Sequence, residues 1–185
     1  MKSIINTYPV KDEEYKVLED NFEDLVHYQG WQLLKKNSQN NHTEEEEDIA
    51  QELRLAMIRA GSYHKRQVYI QTCLATARKH ISGGMIDELL TQLEDLWQNR
   101  KRHGAHRQKF GPHQEQMLMK IVKKHVPKAE RPDPAAPLKM DETFSTYCKA
   151  ITWNAQKSIG KKITKEKSWR SGLASISEFD YLAQM

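Results

Sequence analysis

Apolar residues recur at helical spacing along almost the whole chain, and no stretch shows the strict alternation of a half-buried strand. Leu18, Phe22, Leu25, Val26 and Leu33 share one side of a helix predicted over Asp12 to Lys36, in which Gly30 is tolerated at a cost of about 1 kcal/mol relative to Ala. The polar stretch "NSQNNHT" follows as a loop. Thr43 with Glu46 three residues on forms a capping-box pattern, and the acidic run Glu44 to Asp48 suits the positive end of a helix dipole, so a second helix starts there. Its apolar stripe is Ile49, Leu53, Ala56, Met57 and Ala60, with an end expected at Gly61. Asp48, Gln51, Glu52, Arg54 and Arg59 lie off that stripe.

A third helix is predicted over Tyr63 to Ile81, with Ile70, Cys73, Leu74 and Ala77 inward and a stop at Gly83-Gly84. Ile86, Leu89, Leu90, Leu93 and Trp97 define a fourth, and Pro112 after Gly111 opens a fifth that buries Leu118, Ile121 and Val122. "PKAERPDPAAP", Pro127 to Pro137, holds too many prolines for a helix and is expected to be an extended linker. Asp141 then caps a helix over 141–162 whose apolar stripe is Phe144, Tyr147, Ile151, Ala155 and Ile159. The expected fold is an all-α helical bundle, divided into N-terminal helices (1–62), a helical module (63–126), a Pro-rich linker (127–140) and a last helix with its tail (141–185).

The chain has 185 residues, 38% hydrophobic and 29% charged, enough for one or two modest cores. No apolar run is long enough to cross a membrane, and Met1 to Val10 lacks the layout of a signal peptide, so a cytoplasmic protein without a membrane partner is expected. Cys73 and Cys148 stand far apart without ligand-like spacing and read as buried thiols. Charge is divided unevenly: residues 1–60 carry 7 Lys/Arg against 13 Asp/Glu, and residues 61–185 carry 22 against 12. A basic half of this kind suits a polyanion, and a solvated set of helix faces is the plainer explanation.

"EDIAQELRLAMIRA", Glu47 to Ala60, resembles a segment of bacterial RNA polymerase sigma factors, with Asp48, Gln51, Glu52 and Ala60 matching the family pattern. "FSTY" at Phe144 to Tyr147 is similar to the start of the next sigma segment, and Lys35 and Lys36 stand where a paired basic motif precedes the first. The resemblance covers roughly residues 15–60 and 141–170 and concerns only the second conserved region of that family. It implies a fold like the second sigma domain, with residues 63–126 as an inserted module. Asp48, Gln51, Glu52 and Arg54 would then bind core RNA polymerase, and the helix from Phe144 would face a minus-ten type promoter element.

Some eighty residues separate the two motifs, where ordinary sigma factors have about ten to twenty by family pattern. Ala150 and Ile151 stand where primary sigma factors carry a Trp pair that wedges into the opening duplex, with Trp153 two positions on, so what the resemblance implies is promoter recognition, and strand separation is left open. About 25 residues follow Gly160, so the helix-turn-helix of housekeeping factors is not expected. That economy resembles the factors that bacteriophages encode to redirect a polymerase, in the host cytoplasm. The inserted module would then meet another viral transcription protein or more DNA.

Nucleic acid is held by planar groups that stack on bases, beside cations that track phosphates. Tyr147, Lys149, Trp153, Asn154, Gln156, Lys157, Lys161, Lys162, Lys165, Trp169 and Arg170 supply both kinds and form the expected DNA-binding set. Lys149, Trp153, Gln156 and Lys157 share a face across from Ile151 and Ala155. Trp153 therefore has two readings, packing against another helix or stacking on a base. Arg100, Lys101, Arg102, Arg107 and Lys109 form a second cluster suited to phosphate contacts. His103, His106 and His113 lie within it, but like charges around them would repel a cation, and no metal or other cofactor is expected. His64 and His80 read as helix-surface residues. No Gly-rich phosphate cradle or nucleophile elbow occurs, so an enzyme is not expected. Two alternatives stand beside the sigma-like reading: a helical nucleic-acid-binding protein without a polymerase partner, and a metal-dependent nuclease centred on His103 to His113.

Overall fold

The computed structural model describes residues 7–37, 43–99 and 110–182, with residues 43–46, 143 and 166–182 described by backbone alone. The chain is all-helical: α1 (Asp12–Asn37), α2 (Thr43–His80), α3 (Gly84–Gln98), α4 (Pro112–His125) and α5 (Glu142–Leu182), with a short 3-10 turn at Lys128–Glu130. It divides into two compact units. One holds Val10–Ser62 and Leu138–Met185, and the other holds Tyr63–Pro137 with the segment that ends at Pro9. Residues 43–62 of α2 belong to the first unit and residues 63–80 to the second.

The first unit is built on three apolar stripes. Leu18, Phe22, Val26, Leu33 and Leu34 of α1 meet Ile49, Ala50, Leu53, Met57 and Ala60 of α2, and Phe144, Cys148 and Ile159 of α5 complete the core. The entry to α1 is fixed by Glu14, whose carboxylate accepts from the Lys11 backbone N–H at 2.7 Å, half of a capping box. The other oxygen of Glu14 accepts from the Leu138 backbone N–H and so joins the start of α1 to the approach of α5. Asp141 caps α5, accepting from the Phe144 N–H at 2.7 Å.

Several expectations are corrected here. Gly61 does not end a helix, because α2 runs unbroken to His80 and no separate helix starts at Tyr63. The glycine serves close approach: a Cβ at Gly61 would lie 2.8 Å from Val10 Cγ2 and 3.5 Å from Leu138 Cδ2. Similarly, α5 continues past 162 to Leu182, and Gly160 lies within it, where a Cβ would be 3.2 Å from Leu33 Cδ2. The buried stripe of α5 is also rotated from the expected one. Cys148, Thr152 and Gln156 are buried with Phe144 and Ile159, while Tyr147, Ile151 and Ala155 are only half-buried at its edge. Thr152 can be buried because its hydroxyl donates to the carbonyls of Cys148 at 3.1 Å and Lys149 at 3.0 Å. The capping box read at Thr43 and Glu46 lies on side chains outside the described residues.

The second unit buries Ile70, Cys73, Leu74 and Ala77 of α2, with Ile81 just beyond it, against Leu90, Leu93 and Trp97 of α3 and Leu118, Ile121 and Val122 of α4. Trp97 meets Phe110 edge-on at a centroid distance of 5.1 Å. Gly83 and Gly84 break the chain between α2 and α3, each with φ of 80°, a conformation that side chains resist. Gly111 and Pro112 open α4, and Gln114 Oε1 accepts from the Gly111 N–H at 3.0 Å. The Pro-rich stretch is less extended than expected, holding the 3-10 turn and a further turn in which Asp133 Oδ1 accepts from the Ala135 N–H at 2.8 Å. His64 is buried, contrary to a surface position, whereas His80 is exposed and lies 3.0 Å from Glu130.

Both cysteines are buried thiols. Burial pushes the Cys148 thiol up to about 12, and burial, followed by the nearby Glu115 charge, pushes Cys73 up to about 11 despite a hydrogen bond with Tyr69 that acts the other way. Thiolate is the reactive form, so neither should be alkylated appreciably by iodoacetamide at neutral pH in the native protein, and both should react once it is denatured. Mass spectrometry of the two samples checks this.

Candidate functional site

The sequence-selected residues of α2 fall on two different sides of the helix. Asp48, Gln51 and Glu52 are exposed, as expected, and Arg59 lies with them. Leu55 sits among them and is 50% exposed. It was not selected from the sequence, although its place one turn beyond Gln51 and one before Arg59, opposite Leu53 and Met57, is visible in the helical repeat. Together these residues make a polar surface with one aliphatic side chain near its middle, facing away from α1 and α5.

Arg54 is turned sideways. Its guanidinium pairs with Glu23 of α1 and, at 2.8 Å, with Glu47, so it fastens α2 to α1 and is only 20% exposed. The hydrogen bond from Arg54 holds the Glu23 carboxyl below its ordinary value, and the same bond raises Arg54. A carboxyl whose pKa is depressed on folding adds stability that is fully present above its unfolded value and is lost as pH falls through the folded one. Thermal melts should therefore show a stability loss below about pH 4.3, and Glu23→Gln should lower neutral-pH stability while flattening part of that acid limb. On the other flank, Lys162 Nζ lies 3.3 Å from both carboxylate oxygens of Glu52, which draws Lys162 toward α2.

The residues selected on α5 also divide. Lys149, Trp153, Asn154, Lys157, Lys161, Lys162 and Lys165 are exposed, and Tyr147 is half-buried. Gln156 is corrected: it is buried, and its Nε2 donates to the Gln29 carbonyl at 3.0 Å and to Gln32 Oε1 at 3.3 Å. A buried amide must find partners, and these lie on α1, so Gln156 sets the packing of α5 and leaves the exposed set. Trp153 is 48% exposed, with Lys157 Nζ 5.5 Å from its ring centroid. The side chains of Trp169 and Arg170 lie outside the described residues, as do Arg100, Lys101, Arg102, Arg107, Lys109, His103 and His106. Among the described residues no group of three or more His, Cys, Asp and Glu is placed to hold a metal ion, and no helix is long and apolar enough to cross a membrane.

One exposed aromatic group escaped the sequence reading. Tyr28 and Trp31 on α1 are 55% and 51% exposed and stack at a centroid distance of 6.4 Å, with Lys35 Nζ 4.8 Å from the Trp31 ring. Their spacing, i, i+3 and i+7, is that of one helix face and was the available signal. α1 and α5 run in the same direction, since Glu14 meets Leu138, Gln29 meets Gln156 and Leu33 meets Gly160. Helical rotation then places Tyr28 and Lys35 on the same side of the pair as Trp153 and Lys157, away from α2, with Trp31 at its margin. The first unit thus presents two surfaces that face opposite ways: the outer face of α2, and the face shared by α1 and α5. No family model, curated protein or solved structure matches the chain.

Proposed function

We propose that this chain is a sigma-like transcription initiation factor that binds core RNA polymerase through the outer face of α2 and a minus-ten type promoter element through the exposed face of α5, in the service of bacteriophage genes. The observation that carries the reading is the pairing of motif with exposure. Asp48, Gln51 and Glu52, the residues that resemble the family, stand in solvent on α2, while Phe144 of the second motif is buried and anchors the helix that presents Trp153 and Lys157. A rigid helix with an exposed polar stripe and one aliphatic residue, Leu55, suits docking against partner helices, where polar complementarity sets register and a buried apolar contact adds affinity. On α5, lysines beside an exposed tryptophan suit a nucleic acid, with cations for the phosphates and a ring for a base.

Reconstitution with purified core polymerase is the test. The parent chain should co-elute with the polymerase and direct promoter-specific transcripts. Asp48→Ala with Gln51→Ala should weaken co-elution by about tenfold or more, as expected when central contacts of an interface are truncated. Trp153→Ala or Lys157→Ala should spare co-elution and reduce transcripts. Intact polymerase binding by the Asp48/Gln51 variant would remove α2 from the reading. The lysine-flanked Trp153 favours a second reading, a nucleic-acid-binding protein that acts without a polymerase, which predicts DNA affinity in the isolated chain and no effect of Gln51 or Glu52 changes on function.

A further inference from the structure

The face shared by α1 and α5 changes character toward the start of both helices. Glu13, Glu14, Val17, Leu138 and Met140 line an open cleft of about 160 Å³ there, all of them within the first unit. We propose that this cleft is a docking site for a protein partner that offers one apolar side chain on a basic amphipathic helix. None of its residues belongs to the α2 or α5 surfaces of the sigma-like reading, so the proposal does not rest on that reading.

The size of the cleft limits what it holds. Small-molecule and cofactor sites run to about 300–1,000 Å³, whereas a cavity of about 150 Å³ takes a single benzene ring. A volume of about 160 Å³ therefore suits one leucine, methionine or phenylalanine side chain. The wall it would cover is partly in water already. Val17 is 42% exposed, and among the described residues it and Leu55 are the large aliphatic side chains that the first unit leaves exposed.

Charge decides which apolar side chain arrives, and on what. Glu13, Val17, Asp20 and Asp24 fall along one line of α1, and Asp141 and Glu142 follow Met140 at the start of α5. All five carboxyl side chains are exposed, with Lys16 and Lys139 as the cations at their edges. The ion pairs described for Glu23, to His27 and Arg54, lie on another side of α1 and leave this stripe acidic. Carboxylates around an apolar cleft repel phosphate, so a nucleic acid does not fit, and they attract lysine and arginine. A helix that carries an apolar anchor with cations one turn away satisfies cleft and rim together.

The floor of the cleft is fixed before any partner arrives. Glu14 is buried, and its two oxygens accept from the Lys11 N–H at 2.7 Å and from the Leu138 N–H, which holds the approach of α5 against α1. A wall set in advance loses little freedom on binding, which favours affinity.

The experiment uses the full chain and a fluorescein-labelled synthetic helix of leucine and lysine, with the leucines on one face. A peptide of the same composition with that face scrambled, and one with glutamate in place of lysine, serve as comparators. The parent should bind the first peptide more tightly than either comparator. Val17→Ser and Glu13→Lys, both at exposed positions, should each weaken it about tenfold with unchanged circular dichroism spectra, and Glu88→Lys on α3 should leave it within about twofold of the parent. Equal binding of the scrambled or the glutamate peptide overturns the inference. So does Val17→Ser binding like the parent, which would leave charge without a cleft, or Glu88→Lys weakening binding as much as Glu13→Lys, which would make the attraction diffuse. A parent that sediments as a dimer, and that Val17→Ser turns into a monomer, would give the cleft to a second copy of the chain and overturn it as well.

Discussion

Phe144→Ala should lower the stability of the chain by about 3–5 kcal/mol, the usual cost of emptying a fully buried phenylalanine site. Phe144 is completely buried and packs in the core shared by α1, α2 and α5. It also follows the cap of α5, its N–H donating to Asp141, so the cavity would open at the first turn of the helix where few other contacts hold it. Most domains have a total stability of about 5–15 kcal/mol, so a large share would be lost. Urea denaturation of parent and variant gives the difference directly, and a loss below about 1 kcal/mol would mean that Phe144 is not in the core. The functional consequence separates two kinds of residue in one motif. On the proposed function, Phe144→Ala should impair polymerase and DNA binding together, because it loosens the helix assembly behind both proposed surfaces. Trp153→Ala, at an exposed position, should leave stability nearly unchanged and affect only what that surface binds.

How far the sequence could reach depends on whether a feature repeats along one helix or depends on another. The helical character of α1 to α4 and of the first half of α5 was legible, and so were the inward residues of α1 and α2, because a 3.6-residue repeat is written locally; the run of α2 through Gly61 and of α5 to Leu182 was not. Gly61 was misread, since a glycine that ends a helix and one that admits a neighbouring Val10 look alike until the neighbour is in place. The stripe of α5 was misplaced for a related reason. Sequence favoured Tyr147, Ile151 and Ala155 over Thr152 and Gln156 on polarity alone, and the structure buries these two polar residues because Thr152 bonds within its own helix and Gln156 bonds to α1. Of the candidate surfaces, exposure at Asp48, Gln51 and Glu52 was legible as the side away from Leu53 and Met57. The sideways pairing of Arg54 was not, because Glu23 is 31 residues away in sequence. Tyr28 and Trp31 passed unnoticed because aromatic residues on a helix are ordinarily counted toward the core, and only packing shows which stay outside.

Glu115→Ala should be the most damaging polar substitution, costing about 3 kcal/mol or more, the usual result of removing one partner from a pair held out of water. Tyr8, Arg66 and Glu115 all belong to the second unit. The Glu115 carboxylate accepts from the Tyr8 hydroxyl through one oxygen and from Arg66 through the other, at 2.8 and 2.7 Å. Arg66 and Glu115 are largely buried, and Tyr8 is almost wholly so, its ring tilted against Tyr69 at 5.6 Å. Burial first, and the Glu115 hydrogen bond second, raise the Tyr8 hydroxyl above its ordinary value, as expected for a phenol that stays neutral and donates. Alanine would leave a buried hydroxyl without that acceptor and a guanidinium without its counter-charge. Glu115→Gln keeps an acceptor oxygen and removes only the charge, so it should cost clearly less, and Tyr8→Phe should cost about 1 kcal/mol. A double-mutant cycle between Tyr8→Phe and Glu115→Ala, read by urea denaturation, isolates the coupling. If the two changes simply add, the hydroxyl and the carboxylate act independently, and the segment before Pro9 is held by its apolar packing alone.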